Sequence, residues 1–328
     1  MTTLTHIKEH LEPELKRMNA IIADTLRSDT PLMNSIVERY LTRKGKQLRP
    51  MLVLLSGQLF GQVDDRVLYG GAAVELLHNA SLIHDDVIDQ ARQRRGSDTI
   101  NHIWANHVAV LVGDYFISAA LRCAVKAVDP RVLDELAGMG RDLSLGEITQ
   151  IDNARQHGIN EATYFDIIDK KTASLFESCV AVGGFATNVD SDSLEPVRKY
   201  ARLLGEAFQI KDDTFDYFDD PAVGKPTGND LREGKVSLPL IYALRLTDHP
   251  EHEEMNQLAK KEILTGDDID RLVDFAKRAG GIDYAYDTMQ RLRAEADRQL
   301  DRLPGDLPGD PATVSLREIF EYIIIRKV

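Results

Sequence analysis

Apolar residues recur with helical spacing along almost the whole chain, and this periodicity limits the fold more than any other feature. Strand-like alternation is scarce, so the sequence predicts an all-α fold. Breakers cluster at 219–239 and 303–311, and no Ser/Gly linker divides the chain, which favours a single domain over 1–328. The predicted helices are at about 4–27, 32–43, 50–60, 65–89, 99–126, 131–153, 161–183, 192–219, 236–246, 252–262, 267–278, 282–302 and 313–325.

Composition excludes several classes of partner. The chain has 328 residues, 43% of them apolar, which is enough for a large core. Its net charge of −13 argues against nucleic acid or an anionic membrane surface as a main partner. Cys123 and Cys179 lie in apolar stretches, which predicts buried free thiols in a reducing compartment. The N-terminal stretch has no apolar signal core, and no apolar run approaches the ~20 residues that span a bilayer. We therefore expect a cytoplasmic protein without an integral membrane segment.

One short acidic pattern, D-D-x-x-D, occurs twice inside otherwise apolar segments, at 85–89 and at 212–216. On a helix, the first and last aspartates of each copy share a face, where like charges repel unless a cation bridges them. Hard oxygen ligands select Mg²⁺ or Ca²⁺, and Mg²⁺ commonly brings phosphate with it. A single copy could also be a solvated helix face, so the neighbouring residues decide. The candidate metal ligands are Asp85, Asp86, Asp89, Asp212, Asp213 and Asp216.

Basic residues accompany the first motif. Arg94 and Arg95 follow it, and a guanidinium binds phosphate through two parallel hydrogen bonds. Lys46 and Arg49 flank a predicted helix start, where backbone N–H groups also attract anions. His78 lies two turns before the first aspartate, on much the same face. For Arg94 and Arg95 the alternative is a solvated pair of loop charges, and for Lys46 and Arg49 it is a basic surface. For His78 the alternative is a structural histidine.

The second motif also has candidate diphosphate ligands near it. Lys171 and Thr172 follow an apolar stretch inside a predicted helix, and Gln209 lies one turn before the motif. Lys225 and Lys235 flank a Gly/Pro-rich loop, which could close over a phosphate as a lid or be an ordinary surface loop. The usual glycine-rich phosphate loops and the H-E-x-x-H zinc motif are absent from the sequence.

Five blocks taken together resemble the trans-type polyprenyl diphosphate synthases. Their order and spacing fit this family over nearly the whole chain. The blocks are GKQLRP, ELLHNASLIHDDVIDQARQRRG, KTASLFE, GEAFQIKDDTFDY and GKPTGNDLREGKVSLPL. The resemblance implies a helical bundle around a deep central cavity, a homodimer, and two acidic motifs that face each other across the cavity mouth.

The family also implies a reaction and a set of roles. An allylic diphosphate is elongated by head-to-tail condensation with isopentenyl diphosphate, and three Mg²⁺ ions hold the allylic diphosphate. The implied catalytic residues are Asp85, Asp89, Asp212, Lys171 and Lys235, with Asp86, Asp213 and Asp216 supporting the metal site. The implied allylic diphosphate ligands are Arg94, Lys171, Thr172, Gln209, Lys225 and Lys235. The implied isopentenyl diphosphate ligands are Lys46, Arg49, His78 and Arg95.

Product length follows from the helix before the first motif. The growing tail is expected to run past Ser81, Ala80 and Leu77, where short-product members of the family carry an aromatic block. Small residues at Ala80 and Ser81 predict a hexaprenyl to decaprenyl product. A shorter farnesyl or geranylgeranyl product is the alternative.

Three alternative interpretations assign the chain to a different class of protein. A class I terpene cyclase or head-to-head enzyme shares the expected fold, but cyclases typically carry a differently spaced second metal motif. A non-catalytic partner subunit would lose the acidic motifs, which are both intact here. An all-helical binding module leaves the Arg, Lys and Gln positions unexplained.

Overall fold

The computed structural model describes residues 3–42, 45–94, 96–218 and 227–326, and it is 78% helical. The predicted all-α class is therefore confirmed. The elements are α1 Thr3–His10, α2 Glu12–Leu26, α3 Pro31–Leu41, α4 Leu48–Phe60, α5 Asp65–Ile88, β1 Gln93–Arg94, β2 Ser97–Asp98, α6 Ile100–Trp104, α7 Asn106–Lys126, α8 Pro130–Arg155, α9 Glu161–Ile168, a π-turn Asp169–Ala173, α10 Ser174–Ala186, α11 Ser191–Phe215, α12 Asn229–Arg232, α13 Leu238–Leu244, α14 His252–Ala259, α15 Gly266–Arg278, α16 Gly281–Leu300, a 3₁₀ turn Leu307–Gly309 and α17 Pro311–Ile325.

Helix starts are set by local capping. The Asp64 side chain accepts a hydrogen bond from the backbone N–H of Arg66 at 2.9 Å and so begins α5. Thr265 and Asp268 form a reciprocal capping box at the start of α15, with bonds of 3.0 and 3.2 Å. Pro31 opens α3, because a missing N–H costs nothing in the first turn.

Three predicted helices are interrupted in the structure, and the π-turn Asp169–Ala173 lies inside the one predicted at 161–183. The segment predicted at 99–126 divides into α6 and α7 because Ala105 has φ +71°, which no right-handed helix accepts. The segment predicted at 4–27 divides at Leu11 into α1 and α2. A short antiparallel hairpin, β1 paired with β2, was not predicted and lies directly after the first acidic motif.

The chain divides into two compact units. Unit 1 contains Met1–Arg141, Leu175–Ala201 and Gln299–Ile319; unit 2 contains Asp142–Ser174, Arg202–Arg298 and Phe320–Val328. The single domain expected from the sequence remains a prediction.

The core of unit 1 is built around helices that are apolar on nearly every side. Ten of the 13 residues of α4 and 12 of the 24 residues of α5 are buried, as helices with broad apolar faces require. α10 packs so close to α4 that a Cβ at Gly183 would lie 2.2 Å from the Val53 carbonyl oxygen. Only glycine fits there, so this contact fixes the spacing of the two backbones.

Unit 2 has its own apolar core. Leu240, Met255, Ile269 and Phe275 are buried together with Tyr217, the residue after the second acidic motif. The Tyr217 hydroxyl lies 3.0 Å from the Ser237 hydroxyl, which satisfies the polar end of a buried ring. This core therefore supports the end of α11, directly after the motif.

α7 departs from one expectation. Among the described helices it is the one that is long and apolar enough to cross a membrane by length and composition. The expectation that no apolar segment approaches this length was therefore wrong for α7. Forty-four per cent of its apolar window is buried, against α5 among others. Core helices of soluble proteins pass the same test. Cys123 on α7 and Cys179 on α10 are buried and free, as predicted.

Candidate active site

The first acidic motif lies at the C-terminal end of α5, in unit 1. Asp85 is half-buried in the last turn, and Asp89 is the exposed residue that caps the helix. The Asp89 N–H donates to the Asp85 carbonyl at 2.8 Å, so both residues belong to one helical turn. This agrees with the predicted spacing and places two carboxylates within one turn of each other at the helix end.

Asp86 has a different environment. Its carboxylate is buried and accepts a hydrogen bond from Arg94 Nε at 2.7 Å. Asn101 secures the same region by donating to the backbone carbonyls of Asp86 and Ala91, each at 3.1 Å. The hairpin thus brings Arg94 back onto the motif, and Asp86 holds it there. Arg95 lies outside the described residues.

The residues expected to hold isopentenyl diphosphate are also in unit 1. Lys46 is exposed just before α4, and the next residue, Gln47, has φ +57°. Arg49 lies in the first turn of α4 with its guanidinium 5.4 Å from the Phe176 ring centroid. His78 is buried in α5. Their roles remain predictions.

The second motif lies at the end of α11, in unit 2. The helix was expected to continue to 219 but ends at Phe215. Asp216 therefore lies beyond the helix, and its carboxylate accepts the N–H groups of Asn229 and Asp230 at 2.8 and 3.1 Å. It caps the start of α12, so Asp212 and Asp216 do not form the i, i+4 helical pair that the pattern suggested. Asp212 instead pairs with Arg326.

A chain of hydrogen bonds runs through Asp213. Thr172 Oγ1 donates to Gln209 Oε1 at 2.7 Å, and Gln209 Nε2 donates to Asp213 Oδ1 at 2.8 Å. The Tyr164 hydroxyl donates to Asp213 Oδ2 at 2.6 Å. Burial raises the pKa of Asp213, and the nearby Asp230 carboxylate raises it further. Three sequence-predicted residues, Thr172, Gln209 and Asp213, are therefore brought together.

The π-turn at 169–173 positions Lys171. α8 approaches it so closely that a Cβ at Gly146 would lie 2.9 Å from the Lys171 backbone nitrogen. This approach lets Glu147 form an ion pair with the Lys171 ammonium, while Gln150 Oε1 lies 3.5 Å from the same Nζ. A π-turn inside a helix often marks a functional site. Here Lys171 lines the same cavity as the residues of the hydrogen-bond chain.

These residues surround a cavity of about 160 Å³ in unit 2. Lys235, which pairs with Glu233 at 2.6 Å, lines the cavity together with Lys171. Lys225 lies outside the described residues. The polar side chains of the lining are Gln150, Asn153, Asn160, Tyr164, Lys171, Thr172, Gln209, Asp213, Asp230, Lys235 and Ser237.

The positions expected to set product length lie along α5. Leu77 and Ser81 are partly exposed and share the Asp85 face at four-residue spacing, whereas Ala80 is only 1% exposed. A Cβ at Gly140 of α8 would lie 3.8 Å from Leu77 Cδ2. Within unit 1, Ser81 is therefore better placed than Ala80 to meet a chain that passes along this face.

Among the described residues, no three His, Cys, Asp or Glu side chains form a group that could hold a metal. Mg²⁺ is usually bound by one or two carboxylates together with substrate phosphates, so a preformed cage is not required. Two lysines beside hydroxyl and amide groups can neutralise and orient a diphosphate. The side chains that line this cavity are therefore suited to the binding and release of a diphosphate.

Sequence reasoning missed Glu147, Gln150, Tyr164 and Arg326. Tyr164 lies seven residues before Lys171, and that helical spacing was a usable signal. Glu147 and Arg326 reach their partners over 24 and 114 residues of chain, so spacing gives no sign of them.

A helical chain with a D-D-x-x-D motif in each of its two units, and with Lys171 and Lys235 lining a polar cavity in unit 2, defines a class of diphosphate-handling enzymes. The comparisons identify the family within this class. The family model for polyprenyl synthetase matches residues 30–275. The octaprenyl diphosphate synthase of Escherichia coli (strain K12) is 31% identical over 322 residues, which is 96% of this chain and 98% of that protein.

Solved structures agree with this match. A decaprenyl diphosphate synthase from Rhodobacter capsulatus has a TM-score of 0.89 and 30% identity, covering 99% of this chain and 100% of that one. A polyprenyl synthase from Caulobacter crescentus, complexed with calcium and isoprenyl diphosphate, also has a TM-score of 0.89 and 30% identity, covering 99% and 98%. Geranylgeranyl diphosphate synthases are similar as well.

The chain belongs to the polyprenyl synthetase family. It is a trans-polyprenyl diphosphate synthase, a prenyltransferase of a family that depends on Mg²⁺ and uses isopentenyl and allylic diphosphates.

Proposed function

We propose that this enzyme extends an allylic diphosphate with isopentenyl diphosphate to a long all-trans product, in the hexaprenyl to decaprenyl range. The named products of the E. coli and R. capsulatus relatives, octaprenyl and decaprenyl diphosphate, support this range. The small residues Ala80 and Ser81 before the first motif support it too. Geranylgeranyl diphosphate synthases are also similar, so the shorter product is the alternative to test.

The observation that carries the proposal is the cavity in unit 2. Lys171 and Lys235 line it beside Thr172 and Gln209, whose hydrogen bond at 2.7 Å fixes both side chains. Two ammonium groups and fixed polar groups suit a diphosphate, which departs with its negative charge when the allylic C–O bond breaks. We assign the allylic diphosphate to these four residues and Arg94, with Lys225 as a further ligand.

The metal ligands are assigned from the chemistry of the donors. Asp85 and Asp89 offer only carboxylate oxygens within one helical turn, which is the ligand type that Mg²⁺ prefers. We assign these two and Asp212 to three Mg²⁺ ions in each active site. When bound, Mg²⁺ supplies positive charge that stabilises the diphosphate as a leaving group. The other aspartates of the two motifs, Asp86, Asp213 and Asp216, hold protein donors and support the site.

The remaining steps follow from the substrates. Ionisation leaves an allylic carbocation, and the double bond of isopentenyl diphosphate attacks it to form the new C–C bond. A proton then passes to the departing diphosphate. Lys46, Arg49 and His78 are assigned to isopentenyl diphosphate, with Arg95 as a further ligand. Because water would quench the carbocation, the apolar faces of α4 and α5 must exclude it.

We also propose a cytoplasmic homodimer. The two free buried thiols fit a reducing compartment. The exposed side of α7 carries Leu111, Leu121 and Val125, which are 66%, 48% and 69% exposed. A second copy of the chain would cover these residues.

The test is incubation with labelled isopentenyl diphosphate, Mg²⁺ and a panel of allylic primers, followed by chromatography of the dephosphorylated products. We expect products of 30 to 50 carbons, about six to ten isoprene units. Ser81→Phe should shorten the product, and Ser81→Ala should not. Wild-type products that stop at 15 or 20 carbons would favour the alternative.

A further inference from the structure

Arg326, the residue after the end of α17, bonds directly to the second acidic motif within unit 2. Its Nη2 donates to Asp212 Oδ1 and lies 3.4 Å from the Phe208 carbonyl oxygen. Phe208, Asp212 and Phe215 follow one another at i, i+4 and i+7, so they share one face of α11. The arginine therefore packs along one face of the helix that carries the motif.

The guanidinium is fixed in this position. Its side chain is only 8% exposed, and its carbon lies 4.3 Å from the Phe208 ring centroid and 5.5 Å from that of Phe215. Cation–π contacts are stronger when the cation is desolvated, as it is here. Nε is buried and has no hydrogen-bond partner in the described part of the chain. These contacts hold the guanidinium beside Asp212.

We propose that Arg326 is a positioning residue for Asp212. A bond to one carboxylate oxygen fixes the side-chain torsion and so the direction of the other oxygen. Carboxylates that bind metals are commonly held in this way, and loss of the holding group typically lowers metal affinity by 10–100-fold. The proposal rests on the assignment of Asp212 as a Mg²⁺ ligand.

A second effect acts in the opposite direction. The guanidinium carries a positive charge close to Asp212, and it would repel a metal cation bound by that carboxylate. If repulsion dominated, removing Arg326 would strengthen metal binding. The sign of the change therefore decides between positioning and repulsion.

The experiment measures Mn²⁺ binding by electron paramagnetic resonance of the unbound ion, with inorganic diphosphate present. Arg326→Met removes the charge and the bond, and Arg326→Lys keeps the charge but loses the planar fork. We expect about 10-fold or greater loss of affinity in Arg326→Met and a smaller loss in Arg326→Lys. The matched control is Arg293→Ala. Arg293 pairs with Glu321 of the same C-terminal helix at 3.2 Å, and its loss should leave Mn²⁺ affinity unchanged.

Thermal melting by circular dichroism reports whether each variant is folded. If Arg326→Met does not fold, Arg326→Lys decides alone. Unchanged or tighter Mn²⁺ binding in the folded Arg326 variants overturns the positioning role. Asp212→Asn separates the two proposals. If it also binds Mn²⁺ as the wild type does, the metal role of Asp212 fails; if it alone loses affinity, only the role of Arg326 fails.

Discussion

The folded structure disfavours ionisation of the Glu206 carboxyl group. Burial raises its pKa from 4.5 to about 7, with the Asp169 carboxylate adding to the shift and the Arg202 guanidinium opposing it. Between pH 4.5 and 7 the folded chain keeps a proton that the unfolded chain has released. Stability from this group is therefore fully present below pH 4.5 and is lost as pH rises to about 7.

Glu206→Gln should remove this dependence on pH. The variant should be more stable than the wild type at pH 8, by about 1–3 kcal/mol, because the wild type then buries a charge. At pH 4.5 the two should be nearly equal. Urea unfolding at both pH values measures the difference. Glu195→Gln is the control, since Glu195 is exposed on the same helix and pairs with Lys199 at 3.1 Å. A gain that is the same at both pH values would contradict the assignment to Glu206.

Glu147 is the buried counter-ion of Lys171, and it could not be predicted from sequence spacing. Glu147→Gln should leave the Lys171 ammonium without its anionic partner and free to change rotamer, because a neutral amide holds it less tightly. We expect the KM for the allylic diphosphate to rise about 10-fold, with the KM for isopentenyl diphosphate nearly unchanged.

Steady-state kinetics with each substrate varied in turn checks this. Asp166→Asn is the matched control: Asp166 pairs at 2.6 Å with Lys170, the neighbouring lysine of the same π-turn, at the surface. An equal rise in both KM values in Glu147→Gln would indicate general damage instead of a specific effect on Lys171.

Helices were the part of the fold that the sequence predicted well. α5, predicted at 65–89, is observed at Asp65–Ile88, because a long apolar segment with a capping aspartate leaves few alternatives. The π-turn at 169–173 was not predicted, since its residues have ordinary helical character and the turn depends on packing with α8. In the same way, the break at Ala105 is a backbone conformation that periodicity cannot reveal.

The candidate site was also predicted only in part. The spacing of the first motif brought Asp85 and Asp89 into one turn as expected. The second motif has the same spacing but a different geometry, because α11 ends before Asp216. Partners such as Arg326 come from distant parts of the chain and need the tertiary structure.

Two glycines of α8 separate helix propensity from packing. Gly138 has open space where a Cβ would stand, so Gly138→Ala should stabilise the protein by about 0.5–1 kcal/mol. Gly146→Ala places a Cβ against the backbone and side chains of Lys170 and Lys171, and it should destabilise by about 1–3 kcal/mol. Chemical denaturation measures both changes. Gly146→Ala should also raise the KM for the allylic diphosphate. Stabilisation by both substitutions would show that α8 does not press on the π-turn.

For the molecule as a whole, α7 has two apolar sides, which differ in burial. One side is buried on α5, and the other leaves Leu111, Leu121 and Val125 exposed in a stripe at helical spacing. Soluble proteins rarely expose such a stripe unless something covers it. α7 has the length and composition of a membrane-spanning helix for the same reason, because it carries apolar residues on both sides.

Val125→Glu with Leu111→Glu should therefore convert a homodimer into a monomer, since two charges would be buried at a symmetric contact that repeats each of them. Sedimentation velocity at micromolar concentration measures the change in mass. Ile263→Glu is the control, because Ile263 is 82% exposed in the loop before α15 and belongs to unit 2, whereas the stripe belongs to unit 1. A dimer that persists in the double variant would remove α7 from the interface. A wild-type monomer that binds lipid vesicles through the same residues would assign the stripe to a membrane surface.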